Sequence, residues 1–165
     1  GELKDAAKIT VADQRGVKKL IGYLKGNEPV SLHAKAMRLW AASHWSKAVP
    51  SKSRRVWKEE LLDAQGADGG WSMASLAGPA WKRDGGEAQT STSEAYPTAF
   101  CVYVLLQTGT KRTDEIIVAG LAWLREHQRE AGDWYTRSPR RDRKHYISRA
   151  ATAFALMALA ENESK

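Results

Sequence analysis

The sequence predicts an all-α fold made of three helical hairpins. Three observations carry this. Apolar residues recur at helical spacing in six segments, no segment reads as a strand, and one long motif occurs twice. The motif is Leu61-x3-Gln65-x3-Gly69-x-Trp71, repeated as Leu124-x3-Gln128-x3-Gly132-x-Trp134, so every anchor is displaced by 63 residues.

The elements follow in order. Val17, Leu20, Ile21 and Leu24 share one face of a first helix over about 13–25, ended by Gly26-Asn27 before Pro29. Ser31 can N-cap a second helix with Leu32, Ala36, Leu39 and Trp40 as its apolar stripe, ending before Pro50. Ser51 or Ser53 can cap a third, carrying Val56, Trp57, Leu61 and Leu62 and closing near Gln65. A long loop from Gly66 to Ser93 holds six of the 13 glycines; loops of this length are functional or partly disordered. A fourth helix spans 94–107, with Pro97 in its first turn, where a missing N–H costs nothing, and Gly109 beyond its end. Thr113 caps a fifth, with Ile116, Ile117, Leu121 and Leu124, ending near Gln128. A basic loop leads to a sixth over about 146–160, nearly all Ala, Leu, Phe and Met and so buried on most sides. Helices one, three and five are charged on one side, whereas two, four and six are richer in small and apolar residues. This predicts an outer and an inner layer within a single domain over 1–165, in units of about 13–46, 53–108 and 112–161.

Composition narrows the function. A chain of 165 residues with 42% hydrophobic and 27% charged residues is long enough to bury one core. Seven Trp against two Phe make Trp either the large core filler or the lining of an aromatic cavity. The formal charge of +7 sits mostly in 47–58 and 137–144. Neither stretch interleaves aromatics with base-reading groups, so no nucleic-acid partner is expected. Arg137, Arg140, Arg141, Arg143 and Lys144 could instead make a peripheral contact with a phosphate or anionic lipid headgroup, against the plainer reading of a solvated loop. The single cysteine, Cys101, lies in an apolar helical run and reads as a small buried hydrophobe. His33, His44, His127 and His145 are scattered singly. His33 and His44 share a helix face, but two ligands do not make a zinc site, and no metal or cofactor is expected. No apolar run is long enough to span a bilayer. The chain begins at Gly1 without Met, which leaves a removed signal peptide, and a secreted or periplasmic location, open.

The repeated motif has a physical reading. Leu and Gln, four apart, share a face of the outer helix. The Gln sits at the last turn, where carbonyls lack partners, and its amide can bond those carbonyls and the N–H groups of the following turn. Glycine permits the positive φ that ends the helix. The Trp folds back against the helix, and its indole N–H needs an acceptor if buried. Each copy is therefore a staple between adjacent hairpins.

This pattern, Gly-x3-aromatic/Leu-x3-Gln-x3-Gly-x-Trp, resembles the QW repeat of squalene-hopene cyclases and related triterpene cyclases. Gly120-x3-Leu124-x3-Gln128-x3-Gly132-x-Trp134 fits it, with Ala119 in place of the usual basic residue before the glycine. In the first copy Trp57 stands where the glycine belongs. A degenerate third copy begins at Arg15-Gly16-x3-Leu20, with Leu24 for the Gln and Val30 for the Trp. The stretches Glu94–Ala99, Gly120–Trp134 and Tyr146–Ala153 are also similar to bacterial cyclase-like proteins that carry the scaffold without evident catalytic apparatus. The resemblance implies a prenyltransferase-like α/α-toroid arrangement, here a partial α/α barrel.

It also fixes where chemistry would stand. Such cyclases protonate an alkene or epoxide with an Asp from an Asp-x-Asp-Asp-Thr-Ala motif at the start of an inner helix. The aligned stretches here are Glu94-Ala95-Tyr96-Pro97-Thr98-Ala99 and Ser148-Arg149-Ala150-Ala151-Thr152-Ala153. Thr-Ala is kept and the central acids are gone, so no catalytic residue is assigned. Glu94 reads as a charge favoured by the helix dipole. Glu94, Tyr96, Thr98, Arg149 and Thr152 remain as candidate inner-face ligand contacts. Related prenyltransferases hold zinc with Asp, Cys and His, but Cys101 has no Asp or His two residues away. Three hairpins are too few to close a ring, and an open arc would expose its apolar inner face. The expectation is a homo-oligomer, further repeats of a longer chain, or a compact bundle. Two functions follow: a non-catalytic module binding a protein partner or an apolar ligand, or part of a terpene cyclase or prenyltransferase-type enzyme acting on an isoprenoid.

Overall fold

A computed structural model describes residues 14–78, 81–142 and 146–160 in full and the backbone of 11–13. The described chain is all-α. Seven helices run in order: α1 Val11–Gly26, α2 Leu32–His44, α3 Ser51–Asp63, α4 Met73–Leu76, α5 Ala95–Gln107, α6 Glu115–Glu126 and α7 Ile147–Ala160. The described residues contain no strand beyond an isolated antiparallel bridge between Ser72 and Ser93.

Local chemistry sets the boundaries. Ser31 caps α2, its hydroxyl accepting from Ala34 N at 3.1 Å. α2 stops at His44, and a 3₁₀ turn, Ser46–Ala48, carries the chain to Pro50. Neither Ser51 nor Ser53 caps α3. Pro50, extended at ψ 145°, takes the N-cap position, and Ser51 is already helical. Likewise Asp114, not Thr113, is the N-cap of α6, with its carboxylate accepting Lys111 N at 3.0 Å. α5 ends in a Schellman motif, in which Gly109, at φ +82°, donates to Leu106 O and Thr110 donates to Leu105 O.

The expected 66–93 loop is more structured than its glycines suggest. It contains α4, capped by Ser72, whose hydroxyl accepts from Ser75 N. Ala74 N donates to Thr90 O and Glu94 N to Trp71 O, closing the two ends of the loop on each other.

α5 is the central helix, with ten of its 13 residues buried. α7 packs along it most extensively, α2 lies on it as well, and α6 covers a further side. α3 packs chiefly on α2, and α6 on α5, so each outer helix rests on the helix before it more than on the one after it. The main core joins Leu39, Leu61, Trp71, Leu76, Phe100, Leu105, Leu124 and Trp134. α1 stands apart from it. Its Ile21 and Leu24 pack on a small satellite of Ala42, Ala48 and Val49, next to the 3₁₀ turn.

Candidate functional site

The two motif copies match bond for bond. In the first, the Trp71 indole N–H donates to Leu61 O at 2.9 Å and Gln65 Nε2 donates to Gly69 O at 2.8 Å. In the second, Trp134 donates to Leu124 O at 2.8 Å and Gln128 to Gly132 O at 2.9 Å. The turns also correspond: Gly66 N to Gly70 O and Gly69 N to Gly66 O, against Arg129 N to Asp133 O and Gly132 N to Arg129 O. Gly69 and Gly132 have φ of +86° and +82°, but they close this turn several residues after the helix rather than capping the helix itself.

Thr98 and Thr152 belong to the same device. Their hydroxyls accept from Trp71 N at 2.9 Å and Trp134 N at 3.1 Å, so both face the stapling turns. The copies differ on their outer side. Gln65 Nε2 also reaches Ile116 O on α6 at 2.9 Å, and Trp123 on α6 donates to Asp68 at 3.2 Å. A Cβ at Gly69 would lie 2.9 Å from Ala119 O, whereas one at Gly132 would meet only Gln128 at 4.0 Å. The first turn is thus clasped by the next outer helix and the second is not. The upstream copy forms no staple: Val30, in the Trp position, is 76% exposed.

The face shared by α2, α5 and α7 is aromatic. α2 contributes His33 and Trp40, α5 contributes Tyr96, Phe100 and Tyr103, and α7 contributes Phe154. Trp40 meets Tyr103 and Phe154 edge-on at 5.4 and 5.7 Å between centroids. Phe154 also stands edge-on to Phe100 at 5.2 Å. His33 stacks on Phe100 at 4.8 Å and lies 5.0 Å from Trp81. Tyr96 and Phe100 are buried, whereas His33, Trp40, Trp81, Tyr103 and Phe154 are half-buried. Trp40 Nε1 is buried and has no hydrogen-bond partner among the described residues. Leu39 points into the core, whereas His33 and Trp40, at i and i+7, share the aromatic face.

His33 and Tyr96 form a pair. His33 Nε2 and the Tyr96 hydroxyl are 2.8 Å apart, the donor being set by the imidazole tautomer. Burial lowers the His33 pKa to about 4 and raises that of Tyr96 to about 12, so both are neutral near pH 7. His33 was expected to be an isolated histidine, and its long-range partner on α5 is what the sequence did not show.

Glu94 sits at the N-cap of α5. One carboxylate oxygen accepts from the Thr90 hydroxyl at 2.9 Å and the other from Arg137 N at 3.1 Å. Burial pushes its carboxyl up, against these hydrogen bonds and the charges of Arg137 and Arg83. Tyr96 N donates to Thr136 at 2.7 Å, and Thr136 N to Ser148 at 3.1 Å. Arg149 is exposed on α7. Of the five inner-face candidates, Tyr96 alone lies among the aromatic rings. Cys101 is fully buried, and burial pushes its thiol well above its ordinary range.

The basic loop is largely neutralised. Arg137 clasps Asp142 through two hydrogen bonds of 2.7 and 2.9 Å, which push the arginine up and the carboxyl down. Arg140 and Arg141 both pair with Asp84. Arg143 and Lys144 lie outside the described residues. The organiser is Arg83, 6% exposed, which donates to Ser138 O, Asp142 and Glu87. A lone arginine in the Gly-rich loop gave no sequence signal of this role, because all its partners but Glu87 lie more than 50 residues away.

Among the described residues no group of three or more His, Cys, Asp or Glu could hold a metal ion, and no helix is long and apolar enough to cross a membrane. No protein-family model, curated protein or solved structure matches the chain.

Proposed function

We propose that this chain is a non-catalytic, cyclase-like helical repeat module, a partial α/α toroid that binds an apolar ligand on its inner face. The observation that carries the reading is the half-buried aromatic surface shared by α2, α5 and α7, with the unpartnered Trp40 Nε1 within it. Such a surface suits an apolar body, and the indole N–H suits one acceptor atom on it. The QW-like motif makes an isoprenoid the ligand class to try first. The alternative, part of a terpene cyclase or prenyltransferase-type enzyme, needs an acid at an inner-helix start. Tyr96-Pro97 and Ala150-Ala151 stand there, and both Glu94 oxygens are already engaged.

Titration with farnesol, followed by tryptophan fluorescence, tests the proposal. Binding should saturate, and Trp40→Ala should weaken it at least about tenfold, as for loss of a buried aromatic contact. No saturable binding, or equal binding by a folded Trp40→Ala variant, would refute it. A second observation favours a macromolecular neighbour too. The unclasped turn at Gln128 and Gly132 offers the surface that α6 covers at the first turn, which fits a second copy or a further repeat. A strictly monomeric state at high concentration would count against the second copy.

A further inference from the structure

The sequence holds two basic stretches, and the structure separates them. The 137–142 arginines are paired with Asp84 and Asp142, as above. The 47–58 stretch is not neutralised in this way. Arg54, Arg55 and Lys58 line a cleft of about 510 Å³ together with Leu39, Ala42, Ser43, Ser46, Ser51, Gln107 and Thr108. Neither Arg54 nor Arg55 makes a side-chain hydrogen bond or ion pair among the described residues, and Arg54 Nε is buried without a partner. Lys58 donates one N–H to Thr108 O at 3.3 Å.

The backbone adds to the charge. α3 is 13 residues long and begins at this cleft, with no side-chain cap and no acidic residue in its first turn. Its first N–H groups and the positive end of its dipole therefore have no carboxylate in their own turn, and basic residues follow at Lys52, Arg54 and Arg55. Burial lowers the Lys58 pKa, partly offset by the charge of Asp114. A bound anion would meet the uncapped helix end and the guanidinium groups of Arg54 and Arg55 together. Leu39 and Ala42 lie on a different helical face of α2 from His33 and Trp40, so the apolar wall of this cleft is not part of the aromatic surface.

We propose that the cleft binds the phosphate group of a small phosphorylated molecule. Two guanidinium forks, one ammonium group and a helix N-terminus match a tetrahedral anion with several acceptor oxygens. The volume leaves room for an organic body against Leu39 and Ala42. The phosphate could belong to a free metabolite or to a lipid headgroup, and the experiment separates these sources.

Inorganic phosphate is titrated at low ionic strength while the backbone amide resonances of the full chain are followed by NMR. Saturable shifts should centre on Ser51, Ser53, Arg54 and Arg55. Arg54→Gln and Arg55→Gln should each weaken binding at least about tenfold, the scale of one charge-assisted hydrogen bond. Arg140→Gln, in the paired loop, should leave it unchanged within about twofold. Co-sedimentation with phosphatidylcholine vesicles containing phosphatidic acid or phosphatidylserine forms the second arm. Arg54-dependent preference for phosphatidic acid would assign the phosphate to a headgroup, and phosphate binding without vesicle binding would assign it to a soluble molecule. Absence of wild-type shifts at the α3 N-terminus together with absence of vesicle binding overturns the proposal, whether or not the variants fold. Equal weakening by Arg140→Gln overturns it as well.

Discussion

Replacing Gln65 by alanine should destabilise the protein far more than the same change at Gln128, although the two occupy one motif position. Gln65 is half-buried and holds two carbonyls, Gly69 O in its own turn and Ile116 O at the start of α6. At about 0.5–1.5 kcal/mol net for each bond, Gln65→Ala should lose about 1–3 kcal/mol. Gln128 is exposed and holds only Gly132 O, which water can replace, so Gln128→Ala should stay within about 0.5 kcal/mol. At about 2–4 °C per kcal/mol for a chain of this size, the midpoints should fall by about 4–8 °C for a 2 kcal/mol loss at Gln65 and by under about 2 °C for Gln128. Differential scanning calorimetry and urea unfolding, with the urea slope unchanged, give both values. Equal losses would refute the reasoning, because they would mean that the clasp between the first turn and α6 adds nothing.

Three further outcomes follow from the same geometry. Trp134→Ala removes a buried ring and its bond to Leu124 O, and should destabilise by about 3–5 kcal/mol in chemical unfolding; a change within error would show that Trp134 is no staple. The two motif glycines should respond with opposite sign. Gly120→Ala places a Cβ 2.5 Å from Val102 and 3.2 Å from Trp71, and should cost about 1–2 kcal/mol net, whereas Gly16→Ala meets nothing within 4 Å and should gain about 0.5–1 kcal/mol; like signs in thermal melts would contradict this. Because the His33 pKa is lower in the folded chain (about 4) than its ordinary 6.5, its contribution is fully present above pH 6.5 and is lost as pH falls towards 4. The raised Glu94 acts in the opposite sense, so the test is the difference between wild type and His33→Gln. That difference should shrink by about 2 kcal/mol between pH 7 and pH 4, allowing for the ring's partial exposure, and a flat difference would refute it.

Much of the fold was legible because its causes are local. Ser31, Gly109 and the apolar periodicities place α2, α5 and α7 through interactions spanning a few residues. The errors were also local and small: Pro50 displaces the serine caps of α3, and Asp114 takes the cap from Thr113. The 63-residue repeat went furthest: it predicted an acceptor for each buried indole, which Leu61 O and Leu124 O supply, whereas the glutamine amides bond the turn carbonyls of Gly69 and Gly132 and not the last helical carbonyls. The candidate site was less legible. Thr98 and Thr152, which the sequence offers only as candidate ligand contacts, hold the stapling turns. Helical phase alone does not say which neighbour lies beside a given face.

The sequence by itself determined the class of fold, the order of its helices and the chemistry of its two staples. These depend on residue type and spacing along one chain. Tertiary structure decided that one staple is clasped and the other open, that His33 meets Tyr96, and that Arg137, Arg140 and Arg141 are ion-paired while Arg54 and Arg55 have no ion pair among the described residues. Those outcomes rest on contacts across 50 or more residues, such as Gln65 to Ile116, His33 to Tyr96 and Arg83 to Asp142. A charge in sequence carries no sign of its partner; only the folded chain brings Asp142 to Arg83 and leaves Arg54 Nε without a partner among the described residues.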